Sequence, residues 1–190
     1  AMAPCWLPMS PNCRMTPAIY DAWYNTPRGR WIGDREFALL AKLLDARPGE
    51  TLLDVGCGTG YFTRRFVAEA GLQVTGVDSS PEMLAHARLR SPAIRYVRAQ
   101  GEWLPFGNAA FDHVVAVTSL CFMKDERRAL SEMARVARRR VALGLLNRHS
   151  LLWLRKHGAG SYVGARWHSR AQARMLLTNA GLREVRAGSA

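Results

Sequence analysis

Short runs of β-branched and other apolar residues alternate with segments of helical periodicity over most of the chain. The runs predict strands that pair in parallel, because helices connect them. The predicted strands are Thr51–Val55, Gln73–Asp78, Ile94–Arg98, Phe111–Val117 and Arg140–Leu146, followed by a terminal strand over Leu182–Arg186. The predicted helices are Tyr61–Ala70, one opened by Ser79, Ser80 and Pro81, Asp125–Ala137 and Arg170–Ala180. We therefore expect an α/β fold with a doubly wound, mostly parallel sheet.

Two segments lie outside this alternation. Residues 20–45 carry apolar residues at helical spacing from Phe37 to Leu44, and residues 147–169 are aromatic and basic. Ligands of open parallel sheets bind beyond the carboxyl ends of the strands, so we expect both segments to cover that edge as lids. Residues 1–14 contain three prolines and predict an irregular N-terminal extension to a single domain over residues 15–190.

Length and composition narrow the class of protein. With 190 residues, of which 48% are hydrophobic and 22% charged, the chain has the size and balance of one soluble globular domain. No apolar run reaches the roughly 18 residues of a membrane-spanning helix. Four cysteines without a CxxC pair, and the lack of a signal-peptide pattern, predict a cytoplasmic protein without disulfides or structural zinc.

The formal net charge of +12 makes nucleic acid, an anionic membrane and an acidic ligand partners to consider. Only Lys42, Lys124 and Lys156 are lysines among the 27 basic residues, and all others are arginines. A GC-rich genome would produce the same arginine bias. The charge alone therefore identifies no partner.

The most specific pattern is the turn Gly56-Cys57-Gly58-Thr59-Gly60 between the first predicted strand and the next helix. Glycines at such a turn let the chain change direction sharply and let a ligand approach the backbone. Asp78 ends the following strand, where a carboxylate accepts hydrogen bonds from both hydroxyls of a ribose. A dinucleotide loop would have a third glycine where Tyr61 stands, and Asp54 suits a cationic group better than a pyrophosphate.

This turn, with Asp54 before it and Asp78 after it, resembles motif I of the class I S-adenosylmethionine-dependent methyltransferases. Further segments are similar to the type 11 branch, which includes ubiquinone and menaquinone methyltransferases. They are Tyr20–Arg30, Arg98–Phe106 with Phe111-Asp112, and Glu132–Val136, so the resemblance covers about residues 15–187. It implies a Rossmann-like fold, S-adenosyl-L-methionine as cofactor and S-adenosyl-L-homocysteine as product.

The resemblance also implies cofactor contacts. Asp78 would bind the ribose, Asp54 would face the amino group, and Arg30 would pair with the carboxylate of the cofactor. Gln100 stands where the family usually has an aspartate for the adenine amino group, and its carbonyl still accepts that hydrogen bond. The full expected set is Tyr20, Tyr24, Arg30, Asp54, Gly56, Cys57, Gly58, Gly60, Asp78, Ser79, Met83, Gln100, Gly101, Glu102 and Thr118.

The sequence departs from the family pattern in two further places. Arg138-Arg139-Arg140 stands where the family has a Pro-Gly-Gly turn before the fifth strand. The family sheet ends with a β6–β7 hairpin for which this chain has no evident counterpart before Ala190. We expect a sheet that lacks this hairpin or is completed by a partner chain.

Methyl transfer is an in-line displacement that needs a positioned nucleophile and, for some acceptors, a base. His149 follows the fifth predicted strand and is the best-placed candidate base. Cys121 is interpreted as a small apolar residue near the pocket rather than a nucleophile. His113 is expected in the core or behind the site, and His86 is expected to be exposed.

Three functions remain open from the sequence. The first is methylation of a small molecule, by a monomer or homodimer without membrane association. The second is methylation of RNA, which the charge favours, although Thr118-Ser119-Leu120-Cys121 stands where amine-methylating nucleic-acid enzymes carry [DN]PP[YF]. The third is a catalytically inactive cofactor-binding regulator or assembly protein, which Gln100 would fit.

Overall fold

The computed structural model describes residues 16–189. Five strands form one sheet in the order β3-β2-β1-β4-β5, and every neighbouring pair is parallel. The strands are β1 (Thr51–Val55), β2 (Gln73–Asp78), β3 (Arg95–Arg98), β4 (Phe111–Val117) and β5 (Ala137–Gly144). This confirms the Rossmann-like α/β fold expected from the sequence. Within the described residues, the predicted terminal strand Leu182–Arg186 is wrong, because this segment is irregular.

Seven α-helices are present in residues 16–189. They are α1 (Pro17–Trp23), α2 (Pro27–Leu44), α3 (Tyr61–Ala70), α4 (Pro81–Arg90), α5 (Glu126–Val136), α6 (Leu151–Lys156) and α7 (Arg170–Asn179). Short 3₁₀ turns occupy Leu120–Phe122 and Gly160–Tyr162. Side chains cap most helix starts, as where Ser80 accepts the Met83 N–H at 3.2 Å at the start of α4. No helix among these residues is long and apolar enough to cross a bilayer.

The order of the strands reverses between β1 and β4, which places the crevice of the sheet at their carboxyl ends. Both faces of the sheet are covered. One core contains Leu53, Val114 and Met133 beneath α5, and the other contains Leu52 and Phe66 beneath α2 and α3. The glycine turn after β1 therefore opens at the position where this fold class binds its ligands.

The junction of α5 and β5 differs from the prediction. The helix ends at Val136 and the strand begins at Ala137, so Arg138–Arg140 are strand residues rather than a turn. Their side chains form ion pairs at the amino-terminal edge of the sheet, with N···O distances of 2.6 Å to Asp112, 2.6 Å to Glu50 and 3.1 Å to Asp45. These charges lie at the edge opposite the crevice.

The two segments that we expected to act as lids do not occupy equivalent positions in the structure. In the first, only α1 lies at the glycine turn, while α2 packs against β5 and α3 and covers the sheet face. In the second, the backbone N–H of Arg166 donates to the Cys121 carbonyl at 3.0 Å, and His168 contacts Glu126 at 3.0 Å. Residues 147–169 therefore lie beside the carboxyl ends of β4 and β5. The predicted extension over residues 1–14 is outside the described residues.

Candidate functional site

The glycine turn takes its shape from backbone conformations that favour glycine. Gly56, Gly58 and Gly60 have φ values of +74°, +55° and +77°. A Cβ on Gly56 would lie 2.3 Å from the Ser119 Cβ, and one on Gly60 would lie 2.5 Å from the Tyr96 hydroxyl. A Cβ on Gly58 would meet nothing closer than the Tyr20 ring, at 3.9 Å. Gly58 therefore leaves open space above the turn.

The carboxylate of Asp78 is tied to this turn. One oxygen accepts the Gly58 N–H at 2.8 Å and the other accepts the Ser80 N–H at 2.8 Å. An ionised carboxylate has about four acceptor sites, so each oxygen keeps a free lone pair. Asp78 can therefore organise the turn and accept ligand hydroxyls at the same time.

Asp54 is buried at the end of β1. Its Oδ2 accepts the Thr63 hydroxyl at 2.6 Å, and its residue surface is 2% exposed. Burial raises the pKa of Asp54 to about 7, the Thr63 hydrogen bond opposes this rise, and the charge of Asp78 adds to it. No basic side chain contributes to this pKa, so a cation brought by a ligand would stabilise the ionised form.

Helix α1 is held over the turn by Asp21. The carboxylate accepts the buried Thr59 hydroxyl at 2.9 Å and an Arg64 guanidinium nitrogen at 2.8 Å. Arg64 also donates to the Thr59 carbonyl at 2.7 Å, which closes the network. His86 lies 3.7 Å from Asp21 and is half-buried, so its expected exposure is wrong. The network joins α1, the glycine turn and α3.

The aromatic residues of α1 lie beside the open space over Gly58. The Tyr20 hydroxyl is 3.4 Å from that of Tyr24, and the Tyr24 ring stacks on Tyr61 with centroids 3.7 Å apart. Tyr24 is buried and Tyr20 half-buried, and burial raises the pKa of both phenols. Arg30 is exposed on α2.

Three further expected cofactor residues lie near β2 and α4. The Cys57 side chain packs into a small core with Leu84 and Tyr96, and burial raises the pKa of its thiol. Cys57 therefore contributes its backbone to the turn, where its carbonyl accepts the Gly60 N–H. Ser79 is exposed after β2, and Met83 is half-buried in the first turn of α4.

The segment after β3 is divided between the cleft and the core. Gln100 is exposed, whereas Gly101 is buried, and a Cβ there would lie 2.6 Å from the Met123 sulfur. Glu102 is also buried, and its carboxylate accepts the Asp125 N–H at 3.2 Å. The Glu102 side chain thus supports the start of α5, and its place in the expected cofactor set stays a prediction.

Fewer of the expected site residues lie together at the carboxyl ends of β4 and β5 than at the glycine turn. Thr118 has a φ of +51°, and its carbonyl accepts the Cys121 thiol at 3.4 Å. Burial raises the pKa of Cys121 to about 11, which keeps the thiol protonated near neutral pH.

His149 is exposed, and its backbone N–H donates to the Asn147 side chain at 2.9 Å. His113 is buried and contacts Glu50 at 2.8 Å, at the opposite edge of the sheet.

Three residues were not singled out from the sequence. Thr63 lies in the first turn of α3 and donates its hydroxyl to Asp54. Its position on the side of the helix that faces the sheet could have indicated this contact from the sequence. Asp21 reaches Thr59 across 38 residues of sequence, and no spacing rule connects them. Glu36 is a half-buried carboxyl on α2 whose pKa burial raises to about 7.

Comparison with known proteins decides the family. The profile of the methyltransferase domain family matches residues 53–144, which contain the glycine turn and Asp78. An uncharacterised protein of Mycobacterium tuberculosis is 32% identical over 198 aligned positions, which cover 95% of this chain and 67% of the relative. The chain belongs to the class I S-adenosylmethionine-dependent methyltransferases.

Members of this methyltransferase family with a named activity match a shorter region. A malonyl-[acyl-carrier protein] O-methyltransferase of Erwinia pyrifoliae is 41% identical over 144 residues, 70% of this chain and 52% of that enzyme. The chain thus spans about half the length of that enzyme. An S-adenosylmethionine-dependent methyltransferase from Thermotoga maritima has a TM-score of 0.64 at 25% identity, covering 85% of this chain and 75% of the other.

The site fits the methyltransferase cofactor, S-adenosylmethionine. Open space above Gly58 admits a ligand against the backbone, and Asp78 keeps two lone pairs for ribose hydroxyls. Asp54 offers a buried carboxylate with no basic side chain contributing to its pKa, which suits the ammonium of the methionine moiety. These groups lie at the carboxyl ends of β1 and β2.

We expect cofactor affinity to depend on pH through Asp54. Below its pKa of about 7 the carboxyl is protonated and must lose a proton before it pairs with an ammonium. S-adenosylhomocysteine should therefore bind about ten-fold more weakly at about pH 6 than at about pH 8. Titration calorimetry in buffers of different ionisation enthalpy measures the affinity and the proton release together.

Asp54→Asn is the matched variant for this measurement. The amide keeps the shape and the Thr63 contact but does not titrate, so its affinity should be lower and nearly independent of pH. A wild-type affinity that stays constant across this range would contradict the pairing of Asp54 with the ammonium.

Proposed function

We propose that the protein transfers the methyl group of S-adenosylmethionine to a small organic acceptor bound at the carboxyl ends of β4 and β5. The observation that carries this proposal is the composition of the cleft. Its flanking segments contribute the aromatic rings of Tyr20, Tyr24, Tyr162 and Trp167, with the Tyr162 and Trp167 centroids 5.5 Å apart. Aromatic rings beside a site are typical of sites for small organic ligands.

The placement of one arginine cluster supports a small acceptor over RNA. A nucleic-acid site needs unpaired basic side chains along one face. The cluster Arg138–Arg140 is ion-paired at the amino-terminal edge of the sheet, away from the cleft. Arg128 stacks on Trp103, 3.2 Å from the ring centroid, and donates to the Glu102 carbonyl.

In this proposal the residues around the glycine turn bind and orient the cofactor. When bound, S-adenosylmethionine supplies a methyl group already activated by the sulfonium. Asp78 and the turn at Gly58 would fix the nucleoside, and Gln100 remains the proposed acceptor for the adenine amino group. Tyr20 and Tyr24 of α1 would cover the site and exclude water. His149 remains a proposed base for acceptors that must lose a proton.

Methyl transfer can be tested with labelled cofactor. Purified protein is incubated with methyl-labelled S-adenosylmethionine and either a small-metabolite extract or total RNA, and S-adenosylhomocysteine is quantified. We expect label in the small-molecule fraction and its loss in Asp78→Ala. Label confined to RNA would support the RNA methyltransferase, and cofactor binding without label in either fraction would support the inactive binding protein.

A further inference from the structure

The segment between β5 and α7 exposes large apolar side chains. Leu151 and Leu154 are 74% and 71% exposed, and Val163 is 65% exposed. Single exposed apolar residues are common on soluble proteins, but these three all lie between residues 151 and 163. A concentration of this kind is typical of a surface that contacts a partner or a membrane.

Helix α6 turns the two leucines outward. Leu151 and Leu154 are three residues apart and therefore share one face of the helix. Leu152 and Trp153 are half-buried. Ser150 fixes the start of the helix, because its hydroxyl accepts the Trp153 N–H at 3.2 Å. The leucines are thus presented by a capped helix with its other side packed against the protein.

The exposed leucines lie among basic residues. No aspartate or glutamate occurs from residue 133 to residue 183, a stretch that contains eleven arginines and lysines. Arg148, Arg155 and Lys156 are exposed. In the part of the chain that the structure describes, no carboxylate pairs with these three side chains. The positive charge around α6 is therefore not compensated by the protein itself.

The start of α7 adds to this charge. The backbone N–H of Arg148 donates to the His168 carbonyl at 3.1 Å, which places the starts of α6 and α7 next to each other. Arg170, the first residue of α7, is exposed. The carboxylate of Glu126 reaches this junction from α5, but Arg166 pairs with it at 3.0 Å. The junction is therefore positively charged.

Exposed aliphatic and basic side chains together fit an anionic bilayer better than a nucleic acid. At a bilayer surface, leucines enter the boundary of the acyl chains, while arginine and lysine reach the phosphates of the headgroups. A single-stranded nucleic acid needs exposed aromatic rings on which its bases stack. The aromatic residues of this segment, Trp153, Tyr162 and Trp167, are half-buried instead.

We propose that this basic–apolar surface docks on the anionic surface of a phospholipid bilayer. The surface consists of Arg148, Leu151, Leu154, Arg155, Lys156, Val163 and Arg170. One short helix with a few charges gives a weak and reversible attachment. The proposal does not depend on the proposed function, since docking requires no methyl transfer. It turns the carboxyl ends of β4 and β5, beside which the segment lies, toward the bilayer.

Co-sedimentation with vesicles tests the proposal. One set of vesicles contains phosphatidylcholine alone, and the other contains equal parts of phosphatidylcholine and phosphatidylglycerol. We expect binding to the anionic vesicles to be at least about ten-fold stronger, and to weaken as salt is added. Leu151→Ser combined with Leu154→Ser should weaken it at least about ten-fold. Arg155→Gln combined with Lys156→Gln should remove most of the preference for the anionic vesicles.

The chain offers matched controls at the opposite edge of the sheet. Leu89→Ser replaces a leucine that is 84% exposed near the end of α4. Lys42→Gln combined with Arg47→Gln removes one exposed lysine and one exposed arginine before β1. Both controls should bind the vesicles as wild type does. All variants should keep the melting temperature and the affinity for S-adenosylhomocysteine, because the replaced side chains are exposed.

Other occupants of the surface would be recognised by their own results. Lack of binding to anionic vesicles at low salt would overturn the proposal, as would equal binding by wild type and the leucine variant. A dimer in ultracentrifugation that the leucine variant dissociates would make the surface an interface between two copies, and the proposal wrong. Tighter binding to single-stranded RNA than to anionic vesicles, unchanged in the leucine variant, would also contradict it. Binding in the expected order would show that the expectation of a protein without membrane association is wrong.

Discussion

Replacing Asp78 by alanine should weaken the binding of S-adenosylmethionine by at least about 2 kcal/mol, or about 30-fold in Kd. Two effects add. The ribose hydroxyls lose a charged acceptor, and the N–H groups of Gly58 and Ser80 lose the carboxylate that holds them at 2.8 Å. The turn then loses the conformation that receives the cofactor.

Titration calorimetry with S-adenosylhomocysteine measures this effect. Asp78→Asn keeps one acceptor oxygen without the charge and should fall between wild type and Asp78→Ala. Asp34→Ala removes a carboxylate from the surface of α2, where it pairs with Arg65 at 2.9 Å, and should leave the affinity unchanged. Equal affinities of wild type and Asp78→Ala would remove Asp78 from the cofactor site.

Replacing Gly56 by alanine should lower the free energy of unfolding by about 3 kcal/mol or more. The left-handed φ of +74° costs roughly 1–2 kcal/mol for a residue with a Cβ. The new methyl group would also lie 2.3 Å from the Ser119 Cβ. Ser119 cannot turn away freely, because its hydroxyl donates to the Val55 carbonyl at 2.6 Å. Overpacking of this kind typically costs a further 1–3 kcal/mol.

Gly58→Ala is the matched comparison for Gly56→Ala. Its φ of +55° carries a similar backbone cost, but its Cβ has 3.9 Å of clearance from Tyr20. We expect a loss of only about 1 kcal/mol in stability together with a marked loss of cofactor binding. Urea unfolding measures the stability, and calorimetry measures the binding.

Ser119→Gly separates the clash at Gly56 from the backbone strain. In the double variant with Gly56→Ala, the clash disappears and the strain remains, so the two changes should be non-additive. Additive losses in unfolding free energy would show that Ser119 does not cause the destabilisation of Gly56→Ala.

The sequence predicts best where local patterns determine the structure. Strands β1, β2 and β4 begin and end at the predicted residues, because each is a buried apolar run bounded by turn residues. Apolar residues also led to the predicted strand Leu182–Arg186, yet this segment is not a strand. Leu182 instead packs against the main core without pairing with the sheet. An apolar pattern indicates which residues are buried. It does not identify the neighbouring strand with which a segment would pair.

The residues of the site show the same difference between local patterns and contacts that depend on packing. The glycine turn and Asp78 follow from spacing, because 20 residues of strand, helix and strand bring Gly58 and Asp78 together. Asp21 acts only after α1 has packed, and its partners Thr59 and Arg64 come from distant segments. Glu102 also supports α5, a role that only its contact with Asp125 reveals.

The contacts of Asp21 have a consequence for access to the glycine turn. The Asp21–Arg64 pair is 2.8 Å long and the Asp21 side chain is 8% exposed, so shielded polar contacts fix α1 to the turn. Access to the turn therefore depends on how firmly one seven-residue helix is held, and not on the sheet beneath it.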